Sequence, residues 1–253
     1  MTRKKQFPVD PGVLRRRIFL LSPANASGIR GQRLLKTAAP SQLAWRLRQS
    51  GAPLGEVYQF ISSLYFRGKL EYAEKFKNPP PGVPGVHIIT GAGLMLPGTV
   101  IRLEELRRIS ATAIDAENSG YRVPLDRDLR QLRDLAGGET DVILLGSIAT
   151  SKYVTPLLAV FGERLLFPEI FLGRGDMSRG SLLLKCCSAA LPLRYLPAAG
   201  LEIGRKRSLE EGHSVQTASR RVAPHPLPPK RRQSSGGGPH VHARRFSLQR
   251  RCR

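Results

Sequence analysis

Acids, aromatics and cysteines are scarce in this chain of 253 residues: 19 Asp and Glu stand against 41 Lys and Arg, aromatics make up 6%, and there are three Cys. Cys186 and Cys187 are adjacent and Cys252 lies near the end, so they cannot build a disulfide framework and lack the paired spacing of a zinc site. A reducing, intracellular setting is expected, namely the cytoplasm. A single tryptophan, Trp45, and six Tyr give no aromatic interleaving of the kind single-strand nucleic-acid binders use. No apolar run approaches the roughly 18 residues of a membrane-spanning helix, since residues 18–21 and 142–145 are each cut off within a few positions. A membrane partner is therefore not expected.

What the chain has in excess is positive charge, +22 in all. Residues 204–253 hold 13 Lys or Arg and two acids, Glu210 and Glu211, together with Pro224, Pro226, Pro228, Pro229, Pro239 and the run Gly236-Gly237-Gly238. With almost no apolar side chains to bury, such a stretch cannot offset its ordering entropy and reads as a basic, disordered tail. The cluster Lys230-Arg231-Arg232 could hold nucleic acid non-specifically through phosphate contacts, or the tail is only a solvated extension. Residues 1–14 read as a basic N-terminal extension. The apolar stretch that follows Arg15-Arg16-Arg17 is too short for a secretory signal and suits a first strand.

Residues 15–203 form the expected single domain. Short apolar runs at 18–21, 86–89, 142–145 and, less cleanly, 164–171 alternate with stretches of helical periodicity, and 193–196 suggests a last short strand. Alternation of this kind predicts a small three-layer α/β fold, with a parallel or mostly parallel sheet of about four to five strands and helices on both faces. Helices are expected near 41–48, 55–64, 66–76, 103–109, 126–135, 152–161 and 178–187. In 66–76, Phe66, Leu70, Ala73 and Phe76 share one face, with Arg67, Lys69, Glu71 and Lys75 pointing elsewhere.

Ligands of open parallel sheets bind beyond the carboxyl ends of the strands, so the segments after each apolar run carry the functional expectation. All four are small, hydroxylated or glycine-bearing. Ser22, Asn25, Gly28 and Arg30 follow the first run, and Gly91 and Gly93 the second. Gly146, Ser147, Lys152 and Tyr153 follow the third, and Gly173, Arg174, Gly175, Ser178 and Arg179 the fourth. Glycines let backbone approach an anion, hydroxyls add donors and helix N-termini add unpaired amides. Converging, these loops would make a pocket for a phosphate or another oxyanion, with Arg30, Lys152, Arg174 and Arg179 as cationic contacts.

No Walker loop is present, because residues 28–31 lack the Gly-Lys-Ser/Thr ending, and the Gly91-Ala92-Gly93 triplet lacks the third glycine of a dinucleotide fingerprint. An ordinary nucleotide hydrolase or nicotinamide dehydrogenase is disfavoured, and no cofactor or metal is expected. Glu56 and Asp176 are the carboxylates best placed for acid/base or nucleophilic work in an N-glycosidase-like or transferase-like reaction. Glu56 equally suits its helix dipole, and Asp176 or Ser178 a helix cap. His87 reads as a packed strand residue, and Cys186 and Cys187 as thiols too buried to be nucleophiles.

The segments Leu64-Tyr65-Phe66-Arg67-Gly68-Lys69-Leu70, Gly146-Ser147-Ile148-Ala149-Thr150-Ser151-Lys152-Tyr153-Val154 and Gly173-Arg174-Gly175-Asp176-Met177-Ser178-Arg179-Gly180, with Arg17 to Asn25, resemble a family of bacterial hypothetical proteins without an assigned activity. More remotely, their order is similar to small α/β domains linked to nucleotide or nucleic-acid metabolism. Those domains open with Ser-Cys-Gly-Lys-Ser-Lys, where this chain has Ser22-Pro23-Ala24-Asn25. The combined expectation is a phosphorylated small molecule, in particular a nucleotide, held at the strand ends. The alternatives are a nucleoside-type enzyme and a nucleic-acid binder working through its basic surface and tail.

Overall fold

The structure, a computed structural model, describes residues 15–36, 41–148 and 151–200. The expected N-terminal extension and basic tail lie outside them. Four strands, β1 (Arg16–Leu21), β3 (Val86–Thr90), β6 (Thr140–Leu145) and β7 (Leu165–Pro168), pair in parallel in the order β3-β1-β6-β7. They correspond to the four apolar runs of the sequence. Antiparallel edge strands β4 (Gly93–Met95) and β8 (Tyr195–Pro197) extend the sheet to six, while β2 (Ala52–Pro53) and β5 (Val100–Ile101) form a separate two-residue ladder.

Strand alternation sends β1 side chains into two cores. Phe19 and Leu21 pack with α1 (Ile29–Leu35), α2 (Gln42–Gln49), α3 (Leu54–Ser62), α4 (Leu64–Phe76), α5 (Leu103–Ala111) and α8 (Asp176–Ala189). Ile18 and Leu20 pack with α6 (Ser119–Ala136) and α7 (Ser151–Phe161) on the opposite face. All four are fully buried, and each contributes roughly 1.5–3 kcal/mol relative to exposure. This is the three-layer α/β arrangement that the sequence predicts, with one strand more than expected.

The helices after β1 cover one face and α7, after β6, covers the other, so the topological switch point falls between β1 and β6. There the Ser22 amide donates to the Leu145 carbonyl at 3.1 Å. Helix starts lie earlier than the apolar periodicity suggests, by seven residues in α6 and two in α8. Asn118 caps α6 through the Gly120 amide, and α8 begins at Asp176 after the extended N-cap Gly175.

Candidate binding cleft at the switch point

Ser22, the first residue past β1, is 6% exposed and meets Lys69 of α4, which is 1% exposed. Lys69 Nζ donates to the Ser22 carbonyl at 2.5 Å and to Ser22 Oγ at 2.9 Å, and lies over the Tyr65 and Phe66 rings at 4.6 and 4.9 Å from their centroids. Among the described residues no carboxylate lies within salt-bridge distance of it. Burial lowers its pKa from 10.5 to about 7; the Asp176 charge pulls upward and the Arg179 charge downward. A buried cation without an ion-pair partner is costly, and neutralisation of the amine is the usual relief.

Across from Ser22 stands Gly146, the first residue past β6. A Cβ there would come within 2.9 Å of Ser22 Cβ and 3.1 Å of its Oγ, so glycine alone leaves that side of the hydroxyl clear. The sequence expectation had placed Lys69 off the buried face of α4. In fact it falls three residues after Phe66 and three before Tyr72, inside the buried stripe. A lysine at a core position of a helical stripe was the signal available in the sequence.

Arg179 and Asp176 reach this region because α8 crosses α4 in backbone contact. A Cβ on Gly68 would lie 2.7 Å from the Gly180 carbonyl oxygen, and one on Gly180 would lie 2.8 Å from Tyr65 Cα. The Arg179 side chain, 12% exposed, sits over the Phe171 ring, donates to the Phe171 carbonyl at 2.9 Å and stands 3.5 Å from the exposed Asp176 carboxylate. Its charge also acts on the Tyr65 phenol, which is 6% exposed. Among the described residues Tyr65 Oη and Arg179 Nε make no well-formed hydrogen bond, and the Arg179 guanidinium is the hydrogen-bonding group that acts on the phenol. Burial pushes the Tyr65 phenol up to about 12, so it remains a neutral donor.

Beside this cluster lies a cavity of about 280 Å³. Its walls are the β1–α1 loop from Pro23 to Ser27, Tyr58 of α3, the end of α5 with Thr112, and Lys152 and Tyr153 at the start of α7. Lys152 Nζ lies over the Tyr153 ring at 5.1 Å, and Asn25 Oδ1 accepts from the Ser27 amide at 3.0 Å. Tyr153 links cavity and cluster: burial raises its phenol to about 12, with further upward pressure from Tyr65 and Asp176.

The structure thus gathers Asn25, Lys152 and Tyr153 around one cavity, with Ser22, Gly146, Asp176 and Arg179 in the adjoining cluster. Ser147 is half-buried just beyond Gly146. Gly28 and Gly175 serve as N-caps of α1 and α8, and Gly173 takes a positive φ of 71° in the turn before α8. Arg30 is exposed on α1, away from the cavity wall. Arg174 is exposed and turned back to Ser178 Oγ at 3.3 Å. Glu56 does not enter the cleft; its carboxylate is held by Arg46 in two bonds of 2.8 Å.

Gly91 and Gly93 are spent on packing. A Cβ at Gly91 would meet the Ile109 carbonyl at 2.5 Å, and one at Gly93 would meet Asp128 at 2.2 Å. His87 is buried, with Nε2 2.9 Å from the Pro84 carbonyl oxygen, and burial lowers its pKa. Cys186 and Cys187 are half-buried thiols, with pKa values raised by burial. Sequence reading missed Lys69, Tyr65 and Tyr58, because they belong to helices and not to strand-end loops.

The three segments around Leu64 to Leu70, Gly146 to Val154 and Gly173 to Gly180 therefore supply most of this cluster. No protein-family model, curated protein or solved structure matches the chain.

Proposed function

We propose that the cleft at the β1/β6 switch point binds a phosphorylated small molecule, and that a nucleotide is the guest suited to it. The observation that carries this reading is Lys69, buried without a carboxylate partner among the described residues and within the field of a second cation, Arg179. A phosphate supplies the missing counter-charge and accepts from the Tyr65 phenol and the Arg179 guanidinium, which act on each other here. Tyr58 and Tyr153 offer aromatic walls for a base, and Asn25, Ser27 and Thr112 offer hydrogen-bonding groups for its edges or a sugar. The cavity size suits a mononucleotide better than a dinucleotide.

A thermal-shift series with AMP, ATP, ribose 5-phosphate and inorganic phosphate tests this. At a concentration 100 times Kd the expected stabilisation is about 2.7 kcal/mol, a rise of roughly 5–10 °C for a domain of this size. Arg179→Gln should weaken binding at least about tenfold, in line with loss of a charge-assisted hydrogen bond. An unchanged Tm with all four compounds overturns the proposal.

A further inference from the structure

We propose that Ser22 Oγ is a nucleophile toward phosphorus in a bound phosphoryl ester or anhydride, and that Lys69 Nζ is its general base. The substrate class rests on the phosphate-binding reading; the pairing of the two side chains does not. Four features of the site support it. Ser22 Oγ is 2.9 Å from Nζ, inside the range for direct proton transfer. The Ser22 carbonyl accepts a second Nζ hydrogen, which fixes the amine so that its lone pair can meet the hydroxyl proton. Gly146 puts no side chain of its own against Oγ, where a Cβ would lie 3.1 Å from it. Pro23, the next residue, already lines the cavity.

Lys69 itself, after it takes the proton, would stand beside the developing charge, and it lies over the Tyr65 ring at 4.6 Å and within the field of the Arg179 charge. The charged and titratable groups acting on Lys69 and its neighbour Tyr65 are Asp176 and Arg179 from α8, with Tyr153 from α7 beyond. Burial keeps a large share of the amine neutral near pH 7, the form a base requires.

In the forward step the Oγ–P bond forms and the P–O bond to the leaving group breaks, that oxygen keeping the electron pair, while the Ser22 proton moves to Nζ. A phosphate released from an anhydride departs as an anion and needs no proton, whereas the alkoxide released from an ester takes one from solvent, which the water of the return step gives back. In the return step water attacks phosphorus and the Oγ–P bond breaks. Oγ recovers the proton held by Lys69, and the proton of the water passes to solvent.

The test uses the full chain and an alkyl fluorophosphonate, which transfers its phosphonyl group to an activated serine with loss of fluoride. Intact mass and peptide mapping should show one adduct, on Ser22. Its rate of formation should rise roughly tenfold from about pH 6 to about pH 8 as Lys69 loses its proton. Ser22→Ala should abolish the adduct. Lys69→Arg keeps the positive charge but cannot act as a base, and should slow labelling at least about 100-fold with the far-UV circular dichroism unchanged. A merely structural lysine predicts no such loss on Lys69→Arg.

Absence of a Ser22 adduct on the folded chain at pH 8, a flat pH profile, or equal labelling of folded Lys69→Arg overturns the proposal. If Lys69→Arg fails to fold, the wild-type pH profile and Ser22→Ala decide the matter. Labelling of Ser22 without any nucleotide or phosphate thermal shift supports the nucleophile–base pair and removes the phosphate reading. A thermal shift without labelling does the reverse.

Discussion

At the end of β3, Thr90 Oγ1 donates to the Gly93 carbonyl and accepts from the Ala92 amide, and the Leu94 amide donates to Asp128 Oδ2. At the ends of β1 and β6, a segment of similar composition adjoins a Tyr65 phenol without a well-formed hydrogen bond and a Lys69 buried, among the described residues, without a carboxylate partner. Both places offer glycine, hydroxyl and backbone in similar measure. The first is closed by its own hydrogen bonds and the second is left open, so composition marks a strand-end turn but does not say whether the turn serves packing or a guest. What separates them is the balance of donors and acceptors, and that balance depends on residues far away in the chain.

Breaking the closed turn should have the largest effect. Gly93 sits at φ 101°, and any side chain there meets Asp128, so Gly93→Val should cost about 3–5 kcal/mol in urea unfolding through backbone strain and loss of the Leu94–Asp128 bond. It should leave the ligand-induced shift of the surviving folded fraction intact. An equal loss of binding would erase the distinction between the two turns.

A smaller effect with a particular pH signature is expected at the open site. The folded Lys69 pKa of about 7 lies below the ordinary 10.5 of an unfolded chain, so between those values the unfolded state holds more protons and stability rises with pH. The gain is on the order of a few kcal/mol over that window. Lys69→Met should flatten this slope and be neutral or stabilising near pH 7, since it replaces an uncompensated buried charge with an apolar chain. Denaturant melts at several pH values check it, and a slope unchanged in Lys69→Met contradicts it.

The smallest effect should come from Glu56→Gln. Its pair with Arg46 is partly exposed, so a loss under about 1 kcal/mol is expected, with ligand affinity unaltered. A strong loss of affinity would return Glu56 to the site.

The sheet was legible because Ile18, Leu20, Val142 and Leu144 sit in continuous apolar runs that only a strand buried on both faces can use. Edge strand β4 escaped notice, since Gly93-Leu94-Met95 is too short for a pattern and is held by Asp128 from α6. Of the expected contacts, Asn25, Lys152 and Tyr153 meet at one cavity because the loop after β1 and the start of α7, the next helix after β6, lie at adjacent strand ends. Arg30 and Arg174 are drawn away by the faces their own helix and turn present to solvent. Lys69 was hidden by its charge, which reads as surface unless its spacing from Phe66 and Tyr72 is given more weight than its chemistry.

The contact between Gly68 and Gly180 seats α8 on α4 by main chain against main chain. That closeness is set by the two glycines and not by the exposed side chains of Asp176 and Ser178. Exchanging the exposed Asp176 should therefore retune which guest is preferred while the scaffold keeps its shape, and an engineer looking for altered selectivity would begin there and leave Arg179 and the two glycines alone.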